Sequence, residues 1–282
     1  MPTTGDRQQP MLTVVMTCKG RLEQLQQSLP LLARQDGLAL ILVDYDCPQQ
    51  SGDWVAQHHP QVRVVRGPAG THFQIAHARN LGAAEARTPW LAFVDADILV
   101  GATFARDISL RLQDGCFLQA EPCPHELSGL VVCRRDDFLQ IGGYDEVFQG
   151  WGTEDRDLYA RLERLGRQRQ TFAAGDLHAI PHGDAQRTRF HAVTDRFLSL
   201  RINGMYFQIK HDLARLSGLP DLPEQDRRAL YEQVRTMVLA RPAEPCQIDA
   251  RLPARCDFLQ PPDWRLRRTI RYRFEPLEPP SP

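Results

Sequence analysis

The chain of 282 residues is short of several things. It has only two lysines, Lys19 and Lys210, so nearly all of its positive charge is arginine, whose planar fork suits phosphate. Its net charge of -1 sets up no global field toward nucleic acid or an anionic membrane. Its longest apolar runs, Leu38–Val43 and Trp90–Val94, are of strand length and far too short to span a bilayer. Met1 to Pro10 carries no apolar stretch of signal-peptide type and is expected to be disordered. The seven cysteines are odd in number and scattered without a CxxC pair, which excludes a zinc finger and a disulfide framework and points to reduced thiols in the cytoplasm. No phosphate loop, dinucleotide fingerprint, nucleophile elbow or His-Glu-x-x-His is present, which disfavours ATPase, dehydrogenase, serine hydrolase and zinc protease classes.

What is present is alternation. Leu12–Met16, Leu38–Asp44, Val62–Val65 and Trp90–Asp95 read as buried strands. Between them Arg21–Arg34 and Gln74–Arg87 carry apolar residues at helical spacing, and Trp54–His59 reads as a short helix. Such a chain predicts an α/β fold with a doubly wound, mainly parallel sheet. Ligands of such sheets sit beyond the carboxyl ends of the strands, where Thr17, Asp44, Asp95 and Asp97 fall. Further on, Gly129–Cys133 reads as a strand and Arg135–Ile141 as a short helix. Thr153 is expected to N-cap a helix over Glu154–Leu165, and Arg189–Gln208 and Glu224–Ala240 look helical. The domain reading is a main domain over 11–210, divided at about residue 100 into two halves, and a helical and irregular extension over 211–282.

Asp95 and Asp97 follow a hydrophobic strand, and paired hard oxygen ligands there suit Mn²⁺ or Mg²⁺, especially with substrate phosphates completing the shell. A solvated turn is the plain alternative. In Trp151-Gly152-Thr153-Glu154-Asp155, two acids open a helix behind an indole and a glycine. A carboxylate ionised there can accept a proton, and the indole offers a flat face for a sugar ring; ordinary helix capping is the alternative. His178 and His182 are candidate nitrogen ligands, or two loop histidines. Arg79 can pair with a diphosphate, or sit as a solvated helix charge, and His72, His77, Arg187 and Arg189 are lesser phosphate candidates.

Taken together these residues resemble the GT-A glycosyltransferases of the family 2 type. The resemblance rests on Val14-Val15-Met16-Thr17-Cys18, Ala78-Arg79-Asn80-Leu81-Gly82 and Phe93-Val94-Asp95-Ala96-Asp97. The second half, with Gly142-Gly143-Tyr144-Asp145-Glu146 and Gly150-Trp151-Gly152-Thr153-Glu154-Asp155-Arg156-Asp157-Leu158, resembles β-1,4-galactosyltransferases and bacterial chondroitin-type polymerases. The resemblance covers roughly Leu12 to Gln208. It implies a UDP-sugar donor, galactose or N-acetylgalactosamine fitting best, usually with Mn²⁺. By position it makes Asp97 a metal ligand with His182, or alternatively His178, and Asp155 the base of an inverting transfer. Trp151, Gly152 and Glu154 fall where the acceptor binds; Thr17, Asp44, Arg79 and Asp95 fall where the donor binds, Asp44 against uracil and Arg79 against phosphate. Thr153 stands where the family usually has a second glycine, and Asp46 and Cys47 stand where glycine and serine are common. The acceptor is left open among a glycan, a lipid-linked sugar, a peptide and a small molecule, and the Arg265–Arg273 run between a solvated segment and a peripheral membrane contact. A sugar nucleotidyltransferase and an inactive sugar-binding scaffold are the competing readings.

Overall fold

The structure is a computed structural model describing residues 10–70, 72–242, 244–253 and 268–276. The N-terminal segment expected to be disordered lies, apart from its last residue, outside the described residues, as does the first part of the Arg265–Arg273 run.

The chain runs β1 (Leu12–Cys18), α1 (Leu22–Ala33), β2 (Leu38–Asp44), α2 (Ser51–His58), β3 (Arg63–Arg66), α3 (Ile75–Glu85) and β4 (Trp90–Phe93). It continues through β5 (Ile98–Leu99), α4 (Phe104–Ser109), β6 (Cys116–Glu121), β7 (Val131–Arg134), α5 (Arg135–Gln140) and α6 (Glu154–Arg164). Then follow β8 (Gln168–Ala173), β9 (His178–Ala179), α7 (Asp184–Thr188), α8 (Arg196–Ser217), α9 (Glu224–Ala240), β10 (Cys246–Leu252) and β11 (Arg268–Phe274). Seven strands form one sheet in the order β3-β2-β1-β4-β7-β6-β8, with β7 alone antiparallel to its neighbours.

Both faces of the central strands are buried, so they carry continuous apolar runs. Val14, Met16, Leu40 and Leu42 point into one core with Leu25, Leu29 and Leu32 of α1. Val15, Ile41, Val43 and Phe93 point into the other, with Ala76, Ala78 and Ala83 of α3 and Leu158 and Leu162 of α6. Small residues let α3 approach closely: a Cβ on Gly82 would stand 2.4 Å from Val15. That approach brings Arg79 to the carboxyl edge of β1 and β4. Register aligns Cys18 with Asp44 and Asp44 with Arg66, so the strand ends share one rim.

A third core lies under the C-terminal elements, where α8, α9 and the β10–β11 hairpin enclose Tyr206, Ile209, Val234 and Ile248 together with Val147 and Phe148. The extension read as helical and irregular thus ends in a paired hairpin, with alternate residues of β10 buried. Two helix starts also differ from the sequence reading. Thr153 has φ +82° and its side chain makes no cap bond. α8 begins at Arg196 and not at Arg189, because Asp195 accepts the Leu198 amide at 2.9 Å and sets the N-terminus. Among the described residues no helix is long and apolar enough to cross a membrane.

Buried charges fasten this extension to α6. Lys210 of α8 is fully buried and donates to Asp145 at 2.8 Å and Asp157 at 2.6 Å. Arg161 and His211 also reach Asp157, and Arg227 and Tyr206 reach Asp145. Burial opposes the charge on Asp157, but Arg161, Lys210 and His211 outweigh it and hold the carboxyl well below its ordinary range. The stabilisation it brings is complete above the ordinary aspartate range and is lost as pH falls through the depressed value. Replacing Lys210 by Met leaves two buried carboxylates short of their shared cation. Denaturant unfolding should show a loss of about 3–5 kcal/mol, and the deficit should shrink in acid, where Asp145 and Asp157 take up protons.

Candidate active site

The carboxyl rim of the sheet opens into a cleft of about 310 Å³. Thr17 at the end of β1, Asp95 and Asp97 beyond β4, Trp151 to Asp155 at the start of α6, and His182 all line it. The two acid motifs, nearly sixty residues apart in sequence, share one cleft because α6 packs on the same face of the sheet as α3.

Arg79 joins them. Its side chain is 2% exposed; Nη2 donates to Asp95 Oδ1 at 2.9 Å, and Nη1 to Asp155 Oδ1 at 2.6 Å and Glu154 Oε1 at 3.3 Å. The guanidinium also lies 5.0 Å from the Tyr144 ring centroid. Burial opposes its charge, yet Asp155, Asp95 and Glu154 hold its proton more tightly than usual. Both terminal nitrogens are therefore committed to carboxylates, and in this structure Arg79 is a brace between the acid motifs where a diphosphate fork was expected.

The acids respond to the same surroundings. Burial pushes the Asp155 carboxyl well above its ordinary range, Arg79 pulls it down, and Glu154 and Asp95 push it up again. Glu154 is raised as well, burial leading and Arg79 opposing. A raised carboxyl favours folding at low pH, and that stability is lost as pH rises through the raised value. Chemically, the elevation makes Asp155 a stronger proton acceptor once ionised.

Asp97 sits apart from this brace. Arg21 Nη1 donates to its Oδ2 at 2.9 Å, and His182 Nδ1 lies 3.3 Å from the same oxygen. Burial raises the Asp97 carboxyl, against Arg21 and His182. His182 Nδ1 donates its proton in a hydrogen bond to the Ile180 carbonyl at 3.0 Å, which leaves the Nε2 lone pair buried with no hydrogen-bond partner among the described residues. A hard carboxylate oxygen and an unprotonated imidazole nitrogen on neighbouring side chains are donors of the kind a divalent cation takes. Among the described residues, no group of three or more His, Cys, Asp or Glu gathers as a complete cage, so a cation here would need further ligands from outside these side chains. His178 is exposed and pairs through its backbone with Leu99 in the β5–β9 ladder.

The glycines flanking Trp151 have φ values of +78° and +88°, which side chains rarely adopt. The Trp151 amide donates to Ser199 Oγ at 2.7 Å, and Asn203 Nδ2 donates to the Gly152 carbonyl at 2.8 Å. α8 thus holds the loop from behind. The Arg196 guanidinium lies 4.4 Å from the Trp151 ring centroid, so one indole face is already covered. Asp44 is not drawn into the cleft. Its carboxylate accepts the Cys47 and Gly52 amides at 2.8 Å each and the Arg66 guanidinium, a structural duty in the β2–α2 turn. Arg187 lines the cleft, whereas His77 is bonded to Tyr45 and Arg189 stacks on Phe190.

Sequence reasoning missed Arg21, Arg196 and Gly129. A cation just past the end of β1 was a readable signal for Arg21. Nothing local marks Gly129, yet a Cβ there would stand 2.7 Å from Arg79 Nη2 and 2.9 Å from Asp95 Oδ2.

Comparison with known proteins places this geometry. Residues 13–108 match the family described as glycosyl transferase family 2, and residues 120–183 the one described as the N-terminal domain of galactosyltransferase. A validoxylamine A glucosyltransferase from Streptomyces hygroscopicus subsp. jinggangensis (strain 5008) is 26% identical, over 56% of this chain and 52% of that protein. β-1,4-Galactosyltransferase 5 of Danio rerio is 31% identical, over 42% of this chain and 29% of that protein. The chain spans about half the length of the glucosyltransferase relatives it matches. Among solved structures, the mannosyltransferase PcManGT from Pyrobaculum calidifontis, in complex with GDP-Man and Mn²⁺, aligns with a TM-score of 0.55 at 15% identity, covering 83% of this chain and 76% of that one. Residues 1–349 of S. aureus TarS in complex with UDP align with a TM-score of 0.55 at 13% identity, covering 82% and 71%. At such identities these likenesses establish the shared fold.

The close approach over the brace gives a direct test. Gly129 is itself buried, so Gly129→Ala should push Arg79 off Asp95, lower the melting temperature by several degrees or more and lower any activity of the site by about tenfold or more. Thermal melts and turnover on the same preparation check it.

Proposed function

The chain belongs to the GT-A glycosyltransferases of the family 2 type, with a galactosyltransferase-like motif in its second half, and from that premise we propose that it transfers galactose or N-acetylgalactosamine from a UDP-sugar to an acceptor hydroxyl with inversion. The observation that carries this reading is the Arg79 bridge, which holds the strand-end acid Asp95 and the candidate base Asp155 on one guanidinium at 2.9 and 2.6 Å.

Asp97 and the free Nε2 of His182 would hold Mn²⁺ or Mg²⁺, with donor phosphate oxygens completing its shell. Bound there, the ion supplies positive charge against the departing diphosphate. Arg21, now on Asp97, adds a second cation at the same place. Thr17 borders the donor side. Asp155 takes the proton of the acceptor hydroxyl, and that oxygen bonds to the anomeric carbon on the face opposite the leaving UDP. Trp151 and Glu154 orient the acceptor, the indole offering it an apolar surface, and Gly152 lets the loop backbone come close to it. The acceptor itself is a glycan, a lipid-linked sugar or a small molecule.

Asp155 works only when ionised, so the rate should rise with pH through an acidic limb lying above the ordinary aspartate range. Asp155→Asn should lower transfer by about 10²–10⁴-fold while calorimetry shows UDP binding intact; undiminished turnover would remove the assignment. Asp97→Ala should weaken the Mn²⁺-dependent part of UDP binding, and an unchanged metal titration would count against the metal role.

A further inference from the structure

Outside the acid cluster, the β1 and β2 strand ends bring together two thiols that the transfer chemistry does not use. Cys18 closes β1 and Cys47 follows β2 in the β2–α2 turn. Ser51 Oγ lies 3.1 Å from Cys18 Sγ and 2.9 Å from Cys47 Sγ, so the two sulfurs sit at most about 6 Å apart. The Gly20 amide donates to Cys47 Sγ at 3.1 Å. The turn that carries Cys47 is held in an unusual backbone: Asp46 and Gln50, neither of them glycine, have φ of +52° and +54°.

These contacts divide the pair into unlike partners. Cys47 has the Gly20 amide and the Ser51 hydroxyl against its sulfur, contacts that stabilise a thiolate. The Cys18 hydrogen bond leads in bringing the Cys47 thiol down to about 5, against burial. Cys18 is raised, first by the same bond and then by burial, and so keeps its proton. A nucleophilic thiolate beside a protonated thiol is the arrangement of an attacking and a resolving cysteine.

We propose that Cys47 is a site of oxidative modification, that Cys18 resolves it to an intramolecular disulfide, and that this disulfide controls nucleotide binding through the β1–α1 turn. With hydrogen peroxide as oxidant, the Cys47 thiolate attacks one peroxide oxygen, the O–O bond breaks, and a sulfenic acid forms with release of hydroxide. The Cys18 sulfur then displaces the sulfenic hydroxyl, and its proton and the solvent's convert both leaving oxygens to water. Two thiols and one peroxide give one disulfide and two waters. The Gly20 amide loses its thiolate acceptor, and the turn it anchors carries Arg21, the residue bonded to Asp97 at 2.9 Å. The effect on binding rests on the transferase reading; formation of the disulfide does not.

The test uses the full chain with stoichiometric peroxide. Tryptic mass spectrometry should show a Cys18–Cys47 linkage, reversed by dithiothreitol, before the exposed Cys123 is modified. Cys18→Ala should instead accumulate a dimedone-reactive sulfenic acid at Cys47. UDP affinity in Mn²⁺ should fall by about tenfold on oxidation, recover on reduction, and not respond to peroxide in Cys47→Ser. Oxidation of Cys123 first without the linkage overturns the proposal, and so does a linkage that leaves UDP binding unchanged. Should the reduced protein bind no UDP, the transferase reading fails on its own, and the linkage alone decides the fate of the thiol pair.

Discussion

A buried arginine surrounded by three carboxylates is an expensive arrangement in a protein interior, and the rest of the site is built around it. Taking Arg79 out of water costs several kcal/mol unless its hydrogen bonds are met, and here Asp95, Glu154 and Asp155 meet them. One guanidinium does not balance three ionised acids. The excess shows in the upward push on Glu154 and Asp155, which burial starts and their neighbours reinforce. A cleft with surplus negative charge, an orphaned imidazole nitrogen on His182 and a nearby Asp97 is electrostatically disposed to receive a cation. Arg21 meets part of that demand.

The supports of this arrangement are distant in sequence and plain in packing. Gly82 lets α3 lie close on Val15 and Val43, which sets the depth of Arg79, and Gly129 leaves room above it. α6 presents Glu154 and Asp155, and Asp157 one half-turn further on is clamped by Lys210 of α8. The acid pair is thus fixed from the sheet side by Arg79 and from the C-terminal side by a buried ion-pair cluster. α8 also holds the backbone of the Trp151 loop through Ser199 and Asn203. The C-terminal extension therefore positions the site as well as covering a core.

Much of this was legible because two periods are strong in the chain. Runs such as Leu38–Asp44 and the Leu25, Leu29, Leu32 spacing carry the parallel sheet and its helices without help from context. The acids at strand ends pointed to one rim, and Asp95, Asp97, Trp151, Glu154, Asp155 and His182 do line one cleft. Partnering was not legible. A sequence shows an arginine on a helix; only packing shows that Arg79 turns inward to acids, and that Asp44 is absorbed by its own turn. The edge strand β8 opens with four polar residues, and the hairpin β10–β11 alternates polar with apolar residues amid arginine, which hides both from a search for apolar runs. Thr153 looked like a cap by residue type, but its φ of +82° shows that the turn's geometry took precedence over its hydroxyl.

The most direct measurement is UDP release from a panel of UDP-sugars, each with Mn²⁺ or with EDTA, before any acceptor is added. The account predicts slow hydrolysis of one donor, UDP-galactose or UDP-N-acetylgalactosamine, that stops on chelation. An absence of release from every donor, together with no binding of UDP in Mn²⁺, would contradict it.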